Sequence, residues 1–511
     1  MTARRITVAP ELAVLLGIAF ALRLGSFCLL PNVHWPDEIF QAMEPAHRLV
    51  FGTGAVAWEW IVGARSWLLP GLIAVPMGVG RLFGDAPQAI NLPVAIVLAA
   101  AGCAPVACAY GWGRRIDGRI GGLLAASVPA VWVDLVYLSC HSLAEVAAAD
   151  CLPVALYLGL PRAGMPAARW RLNGAGALLG LTFALRFHLG PALALAALGL
   201  CWRGGWPGGR ALLAGASVPV LALGLLDWAS WGAPFHSIAV NLWFNLAEGA
   251  DYAGRAPAAT FIVLPLYLWG AGFVAVLFAA ILGAIRLPLL GVVAIAIVAT
   301  YSAFAHKEYR FIYPALVLVS ILAGIGSADL LRRWREARPR GLAAGRIPAA
   351  LAMIFWLATA VTIAQSAVYR QSWTRERAQI EAFRRVSAQS DLCGLGLYGV
   401  RWIVTPGRSG LPPRAALYQT DSAHLAADAP AFNYILAREL APVPEARYRR
   451  QACFTGDAIG GGKWAIHLCV WRRDGGCDAA AGRPLPTNWP STVTGRPEPA
   501  PAPGWKDPDE S

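Results

Sequence analysis

The sequence is poor in charged side chains: only 14% of its 511 residues are Asp, Glu, Lys or Arg, whereas 57% are hydrophobic. Soluble domains carry about 25% charged residues, so this scarcity favours a chain embedded in a bilayer. The net charge is +13, but the arginines adjoin long apolar runs. That arrangement favours loops that touch anionic membrane lipid over a nucleic-acid groove, so no nucleic-acid partner is expected.

Several patterns that mark other classes of protein are also missing. We find no internal repeat and no glycine pattern of a P-loop or a dinucleotide site. No Cys/His set has the spacing of a zinc site, so neither a cofactor nor a metal is expected. No small-residue cleavage site follows the first apolar run, so this run is interpreted as a membrane span and not as a signal peptide.

Apolar segments long enough to cross a bilayer recur over the first 366 residues. They cover residues 9–30, 88–111, 119–139, 142–160, 209–229, 262–285, 287–305, 310–330 and 347–366. Residues 172–201 add two spans that meet at a polar break around Arg186 and His188. The sequence therefore predicts about eleven spans, with residues 66–84 lying along or partly within the outer leaflet.

The distribution of arginine predicts an orientation under the positive-inside rule. With eleven spans, all arginine clusters fall on the cytoplasmic side, namely Arg4/Arg5, Arg114/Arg115/Arg119, Arg162/Arg169/Arg171, Arg203/Arg210, Arg286 and Arg332/Arg333/Arg335. The outer side then receives the loop 31–87, the turn 306–309 and the tail. A twelfth span at 66–84 would invert this pattern.

The polar tail has helix-like and strand-like stretches, and we divide it in two. Residues 371–481 are predicted to form a small α/β domain outside the membrane, after a bundle over residues 1–370. The Pro-rich residues 482–511 are predicted to be disordered. Disulfides are expected in this domain if the compartment is oxidising, and three pairings are open for its four cysteines, Cys393, Cys453, Cys469 and Cys477.

The first outer loop, residues 31–87, carries two successive acids, Asp37 and Glu38, after Pro36. This order is typical of the first turn of a helix, where acids can simply complement the helix dipole, worth about 0.3–1 kcal/mol. The functional alternative is sugar binding, because tryptophan rings stack on sugars and carboxylates bind hydroxyl groups. The residues of the same loop that favour this alternative are Trp58, Glu59, Trp60 and Arg65.

A second polar cluster, His306-Lys307-Glu308-Tyr309-Arg310-Phe311, connects two spans. Its charges would be costly if they were buried without partners. Either it is a solvated turn with a Lys/Glu pair, or Lys307 and Arg310 clamp a phosphate. Arg186 lies at the outer end of a broken span and is a further candidate for the same anion.

Taken in order, these motifs resemble the glycosyltransferase family 22 mannosyltransferases, which extend the N-glycan precursor and the glycosylphosphatidylinositol core. The resemblance covers roughly the first 330 residues. It rests on residues 36–41, Glu44-Pro45-Ala46-His47, Phe51-Gly52-Thr53-Gly54, Trp58-Glu59-Trp60, Arg65-Ser66, the segment from Asp227 to Gly254, and residues 306–314. In this chain Trp35 separates His34 from Pro36, and Ala57 stands where the family has Thr.

The resemblance implies a GT-C fold, which is an all-α multispan membrane bundle, with a polyprenyl-phosphate sugar donor and inversion at the anomeric carbon. We therefore expect Asp37 to act as general base. The cations expected to bind the donor phosphate are Lys307, Arg310, Arg186 and His306. The residues expected to bind the acceptor are Glu38, Glu59, Trp58, Trp60 and Arg65.

The expected activity is transfer of a hexose, with mannose as the first choice, to a glycolipid or glycan acceptor. Richness in Ala, Gly and Arg indicates a bacterial inner-membrane protein whose active site and tail domain face the periplasm. The alternative is a multispan transporter or a flippase for lipid-linked sugars. Transporters concentrate polar groups near the bilayer midplane, whereas here these groups gather at the outer ends of spans.

Overall fold

The structure, a computed structural model, describes residues 9–161, 167–249, 254–337, 343–443, 447–456 and 467–482. The predicted disordered tail, apart from Gly482, and the arginines Arg4, Arg5 and Arg162 lie outside these residues. A helical bundle comes first and a small sheet domain follows. The helices of the bundle are α1 (Pro10–Leu29), α2 (Glu44–Phe51), α3 (Trp58–Ile61), α4 (Leu68–Arg81), α5 (Pro87–Ala101), α6 (Ala104–Val131), α7 (Val133–Leu138), α8 (Ala144–Gly159), α9 (Arg169–Leu185), α10 (Gly190–Trp231), α11 (His236–Trp243), α12 (Thr260–Trp269), α13 (Ala271–Arg286), α14 (Pro288–Ser302), α15 (Tyr313–Ala337), α16 (Ala343–Ala364) and α17 (Ala367–Trp373).

Helices α6 and α10 each reverse direction at a glycine with positive φ. The breaks are at Gly118, with φ 55°, and at Gly205, with φ 60°. A Cβ added to Gly113 would lie 2.3 Å from the carbonyl oxygen of Gly121, a contact impossible for residues eight apart in a straight helix. Glycine permits this backbone conformation at little steric cost, so each long helix is a pair of apolar segments.

The apolar helices make this a multi-pass integral membrane protein. In the described part of the chain, five helical segments are long and apolar enough to cross a membrane, or six if α12 and α13, bent by 116°, form one span. This count joins α5 with both arms of α6, joins the two arms of α10, and omits helices shorter than 18 residues, such as α8 and α14. The total of eleven spans therefore stays a prediction.

Helix α15 lies at the centre of the bundle, and 83% of its most apolar stretch is buried. Its glycines allow direct backbone contact with both neighbours. A Cβ on Gly324 would lie 2.1 Å from the carbonyl oxygen of Ala125 in α6, and one on Gly326 would lie 1.9 Å from that of Ala279 in α13. Small residues at helix crossings are the usual means of close packing in membranes, where lipid removes the hydrophobic driving force.

Helix α4 falls within the segment that was expected to lie at the outer leaflet. Its 14 residues extend about 21 Å, too short for a hydrocarbon core of about 30 Å. It packs through Ile73 and Met77 in a small core shared with α2 and α5. Leu72, Val75 and Val79 on its other face are exposed.

The sheet domain that follows is α/β, as predicted. Its elements are α18 (Arg377–Ser387), β1 (Gly394–Tyr398), β2 (Ala416–Thr420), α19 (Leu425–Asp428), β3 (Tyr434–Arg438), β4 (Arg449–Thr455) and β5 (His467–Arg472). The strand order is β2-β1-β3-β5-β4, with β1 parallel to β2 and β3, and β5 antiparallel to β3 and β4. Of the three pairings left open, the structure has Cys393–Cys477 and Cys453–Cys469.

Ionic groups gather at both ends of α15. At its C-terminal end, Asp329 pairs with Arg286 at 2.7 Å and with Arg332 at 3.0 Å. Arg335 of the same end pairs with Asp117 beside the break in α6, at 2.8 Å. Several of the predicted cytoplasmic clusters thus meet at one end of the bundle. Arg310 lies at the other end, and the 25 residues of α15 span about 38 Å between them.

Candidate active site

Asp37 lies in the first turn of the helix that continues into α2. The turn from Glu38 to Met43 is π-helical, so the helix is locally wider than an α-helix. Such π-turns are rare and occur frequently at functional sites. The helix begins at Pro36, whose missing N–H costs nothing in a first turn. The expectation of a helix at this point, carrying both acids at its start, is confirmed.

The carboxylate of Asp37 accepts a hydrogen bond from Nη2 of Arg310, although the two residues are 273 positions apart. The Arg310 side chain is only 6% exposed and that of Asp37 is 27% exposed. Asp37 of the loop 31–87 and the distant cation Arg310 therefore share one site, as the sequence predicts. Arg310 also lies over the ring of Trp35, with 5.6 Å between the guanidinium carbon and the ring centroid.

Further charges surround this pair. Nε of Arg310 donates to Glu308 Oε2 at 2.5 Å. Glu145, which begins α8, lies between two arginines: its Oε1 is 3.0 Å from Arg186 Nη2 and 4.0 Å from Arg310 Nε. Arg186 also donates to the hydroxyl of Tyr301 at 3.2 Å. Two of the four predicted phosphate ligands, Arg310 and Arg186, thus converge through Glu145.

Two opposing effects set the pKa of Asp37. Burial raises the pKa of this carboxyl, but the positive charges of Arg310, Arg65 and Arg186 and the Arg310 hydrogen bond outweigh burial, and the pKa is lowered. Asp37 is therefore ionised but a weaker base while Arg310 holds it. The neighbouring Glu59 shows the opposite balance, since burial raises its pKa despite the charge of Arg65.

The structure does not bring every predicted cation to this point. The ammonium of Lys307 donates to the carbonyl oxygens of Phe304 and of Ala256, the latter at 3.0 Å. His306 is 2.9 Å from Glu308 Oε1. Lys307 thus links the turn to the segment before α12. Its ammonium is occupied by backbone carbonyl oxygens, which differs from the environment of a phosphate ligand.

Glu38 has a different environment from the acceptor contact predicted for it. It is 5% exposed. Its Oε1 accepts from the backbone N–H groups of His34 at 2.7 Å and Trp35 at 3.2 Å, and its Oε2 is 2.5 Å from His141 Nδ1. Because one carboxylate oxygen is occupied by the loop itself and the other by His141, which precedes α8, the geometry favours a positioning role for Glu38 over the predicted contact with the acceptor.

The remaining predicted acceptor residues divide into a polar patch and two separate tryptophans. Glu59 Oε1 accepts from Gln41 Nε2 at 2.9 Å and lies 3.7 Å from Arg65 Nη2. Trp60 is 1% exposed and donates to the carbonyl oxygen of Phe40, so it is a core residue and not the predicted sugar contact. Trp58 is 40% exposed and packs on Phe244, at 4.6 Å between ring centroids.

One carboxylate of the site escaped the sequence interpretation. Asp134 is 1% exposed and accepts hydrogen bonds from four groups, namely Trp132 and Trp269 Nε1 and the Tyr309 and Tyr369 hydroxyls. Through Tyr309 it fixes the turn that carries Arg310. An acid inside an apolar run is itself a signal of a functional or positioning group, and it was available in the predicted span 119–139.

Two cavities lie near the ion pair: Asp37 lines the smaller one, and Trp35 and Tyr309, which neighbour Arg310, line the larger one. The larger has a volume of about 1080 Å³ and is lined by Trp35 and Tyr309, by Leu264 and Leu268 of α12, and by Arg375 and other residues of the sheet domain. The smaller, of about 70 Å³, is lined by Asp37, Gln41, Arg65, Arg186 and His188. Ligand pockets are typically about 300–1,000 Å³, so the larger cavity has room for a substrate and the smaller one does not.

Comparison with known proteins identifies the family. Residues 14–124 and 193–390, which are more than half of the chain, match the Alg9-like mannosyltransferase family. The chain belongs to this family. The match includes both the helix that carries Asp37 and the turn that carries Arg310, so the site described above lies within the Alg9-like part of the chain.

Individual Alg9-like relatives are similar over shorter stretches. GPI mannosyltransferase 3 of Yarrowia lipolytica (strain CLIB 122 / E 150) is 26% identical over 355 residues, which cover 63% of this chain and 64% of that protein. GPI mannosyltransferase 3 of Drosophila melanogaster is 44% identical over 57 residues, 11% of this chain and 10% of that protein. The chain thus spans less than two thirds of the length of the curated relatives it matches.

Solved structures show the fold over nearly the whole chain. ArnT from Cupriavidus metallidurans bound to undecaprenyl phosphate has a TM-score of 0.56 at 13% identity, covering 90% of this chain and 97% of that chain. Its apo state has a TM-score of 0.55 at 14% identity, covering 93% and 98%. The GT-C fold predicted for this Alg9-like chain is therefore confirmed.

Proposed function

We propose that this protein is an inverting glycosyltransferase that moves a hexose, mannose in the first instance, from a polyprenyl-phosphate donor to a glycolipid or glycan acceptor. The observation that carries the proposal is the ion pair between Asp37 and Arg310, beside Arg186, at one end of a membrane bundle. The names of the relatives, GPI mannosyltransferase 3, support the sugar. The undecaprenyl phosphate bound to ArnT supports the lipid carrier.

The proposed reaction needs one base and one anion site. An acceptor hydroxyl attacks the anomeric carbon while Asp37 removes its proton, and the bond from that carbon to the phosphate oxygen breaks. The polyprenyl phosphate leaves with the bonding electron pair and gains one negative charge. Arg310 and Arg186 stabilise that charge through hydrogen bonds that strengthen as it develops. A phosphate is a good leaving group, so no general acid is required.

The ion pair must open for this chemistry to occur. In an inverting displacement, the attacking and leaving oxygens lie on opposite faces of the anomeric carbon, so the sugar separates the base from the phosphate ligands. Asp37 and Arg310 touch directly, and the cavity beside Asp37 is too small for a sugar. We propose that the donor phosphate binds Arg310 and that the hydrogen bond from Arg310 to Asp37 then breaks. The same exchange would raise the basicity of Asp37, because its nearest positive charge is then shared with the phosphate.

The larger cavity supports an amphiphilic acceptor. Leu264 and Leu268 supply an apolar wall from α12, while Arg375, Glu376 and Arg438 supply a polar wall from the chain after the bundle. A glycan headgroup fits the polar side and a lipid chain fits the apolar side. The patch of Gln41, Glu59 and Arg65 lies on the same loop as Asp37, and Gln41 and Arg65 line the smaller cavity. It is the proposed contact with acceptor hydroxyls once the ion pair opens and this cavity widens, and Trp58 is a more distant contact.

The charge distribution supports an active site at the outer face. The arginine-rich end of α15 lies about 38 Å from the end that holds Arg310, against a hydrocarbon thickness of about 30 Å. By the positive-inside rule the arginine-rich end is cytoplasmic. The active site and the disulfide-bonded domain would then face an oxidising exterior, which for a bacterial inner membrane is the periplasm.

The test is transfer of radiolabelled mannose. Purified full-length protein in nanodiscs is incubated with polyprenyl-phosphate mannose and a lipid extract from the source cells, and products are separated by thin-layer chromatography. The proposal expects label in a new glycolipid or glycan. Label that crosses the bilayer of a reconstituted vesicle without transfer would instead support the flippase alternative and overturn the proposal.

A further inference from the structure

Glu44 occupies an unusual position on the helix that carries Asp37. It is fully buried, with 0% exposure, although it lies in an exterior loop. Its Oε2 accepts from the backbone N–H of Ala55 at 2.5 Å, and its Oε1 accepts from the backbone N–H of Ser409 at 2.6 Å. One carboxylate therefore joins the catalytic loop to a segment of the sheet domain that is 365 positions away.

The segment that holds Glu44 is itself fixed. Gly407 has φ 67°, and a Cβ added to it would lie 2.6 Å from Glu44 Oε1. Arg408 is 5% exposed, and its guanidinium donates to the carbonyl oxygens of Pro412, at 2.9 Å, and Pro413, at 2.5 Å. The carbonyl oxygen of Ser409 accepts from Asn91 of α5 at 3.3 Å. These contacts form a rigid clamp, residues 407–409, around the Glu44 carboxylate.

Apolar contacts reinforce the same junction. Phe40, in the π-helical turn, is 2% exposed and meets Trp402 edge to face at 4.6 Å between ring centroids. Phe40 and Trp60 belong to one hydrophobic core with Leu395, Leu397 and Leu417 of β1 and β2. The buried face of the catalytic helix thus packs on the sheet domain and not on the membrane bundle alone.

We propose that the clamp at residues 407–409 sets the position of Asp37 through Glu44, so that the sheet domain is part of the catalytic scaffold and Glu44 is a positioning residue. Glu44 lies seven residues, or about 10 Å, along the helix from Asp37. A displacement of about 1 Å at a reacting group can cost about 100-fold in rate. The inference rests on the proposed function for its kinetic consequence, but the clamp itself can be tested without it.

The decisive variants are Gly407→Ala and Gly475→Ala. Both glycines belong to the sheet domain and have positive φ, 67° and 101°, so both substitutions strain the backbone. Only Gly407→Ala pushes a methyl group into Glu44, because a Cβ on Gly475 makes ordinary contact with Arg473 at 3.5 Å. We expect Gly407→Ala to lower kcat about 10- to 100-fold with little change in KM, and Gly475→Ala to leave both near wild type. Equal losses in the two variants would overturn the proposal.

A double variant separates positioning from general damage. Removing the Glu44 side chain makes room for the new methyl group, so Glu44→Ala with Gly407→Ala should be no less active than Glu44→Ala alone. If the double variant lost activity by the product of the two single-variant factors, Gly407→Ala would act at a place other than Glu44. Hydrogen exchange provides the arm that is independent of activity: amides of residues 38–55 should exchange faster in Gly407→Ala and not in Gly475→Ala. If these amides exchange no faster in Gly407→Ala, the clamp is refuted. If they do exchange faster but the wild-type protein transfers no sugar, only the proposed function is refuted.

Discussion

The two ends of α15 use the same chemistry, arginine paired with carboxylate, in different ways. At its C-terminal end, Arg332 and Arg333 pair with Asp329 one turn away, and their side chains are 26% and 51% exposed. At its N-terminal end, Arg310 is 6% exposed and pairs with Asp37 from the loop 31–87. At the C-terminal end, partly exposed arginines surround a buried Asp329, whereas at the N-terminal end the arginine itself is buried and its partner Asp37 is the more exposed member.

The difference lies in what each ion pair costs and does. A partly exposed arginine one turn from its partner contributes about 0.3–0.5 kcal/mol, and Asp329 has three arginine partners, so the loss of one leaves its charge paired. Removing one member of a buried pair leaves the other charge buried without a partner, which carries a large desolvation cost. Charges held at such a cost are typical of functional sites, which is why the Arg310 end is the candidate for chemistry.

The largest effect that would sharpen this comparison is expected from Asp37→Asn. Loss of a general base lowers the rate about 10²–10⁴-fold, while the amide keeps the shape of the side chain. The measurement is kcat for mannose transfer. The matched control is Asp85→Asn, which changes an exposed acid of the same loop, residues 31–87, and should retain full activity. Wild-type turnover by Asp37→Asn would contradict the proposed role.

Removal of Arg310 should break the site in two ways. Arg310→Ala deprives the leaving phosphate of a donor, for an expected loss of about 10²–10³-fold in kcat. It also leaves Asp37, Glu308 and Glu145 without their shared cation, at a cost of about 3–5 kcal/mol. Arg310→Lys keeps the charge but loses the two-pronged geometry, so it should recover stability more than activity. Thermal unfolding and transfer assays on both variants measure the two losses, and recovery of full activity by lysine would argue against the geometric role.

Much of the fold could be predicted from the sequence because hydrophobic length and arginine position are properties of a linear chain. The meeting of Asp37 with Arg310 could be expected only through the order of motifs, since no periodicity relates residues 273 positions apart. The contacts of Glu38 could not be predicted, because two of its partners are backbone N–H groups and the third, His141, is 103 positions away. Nor could the disulfide pairing, since a count of cysteines leaves the strand register undetermined.

Stability against pH should distinguish two carboxylates of the same loop. The folded-state pKa of Asp37 is lowered, so its pair with Arg310 stabilises the protein above the unfolded pKa of about 3.9 and is lost as pH falls through the folded value. The difference in unfolding temperature between wild type and Asp37→Asn should therefore become less favourable to wild type as pH falls. The folded-state pKa of Glu59 is raised, so wild type relative to Glu59→Gln should decline as pH rises. Parallel trends in the two comparisons would contradict this assignment.

The smallest effect is expected at the opposite end of α15, from Arg333→Gln. Arg333 is half-exposed, and its buried partner Asp329 keeps Arg286 and Arg332, so the loss should stay below about 0.5 kcal/mol with no change in kcat. High salt should weaken the contribution of the half-exposed Arg333, whereas Arg310 should respond little because its burial limits screening. Unfolding curves for Arg333→Gln and Arg310→Lys at low and high salt test this contrast. If Arg333→Gln lost as much stability and activity as Arg310→Ala, the arginines at both ends of α15 would contribute equally. The inference that burial marks the catalytic end would then be contradicted.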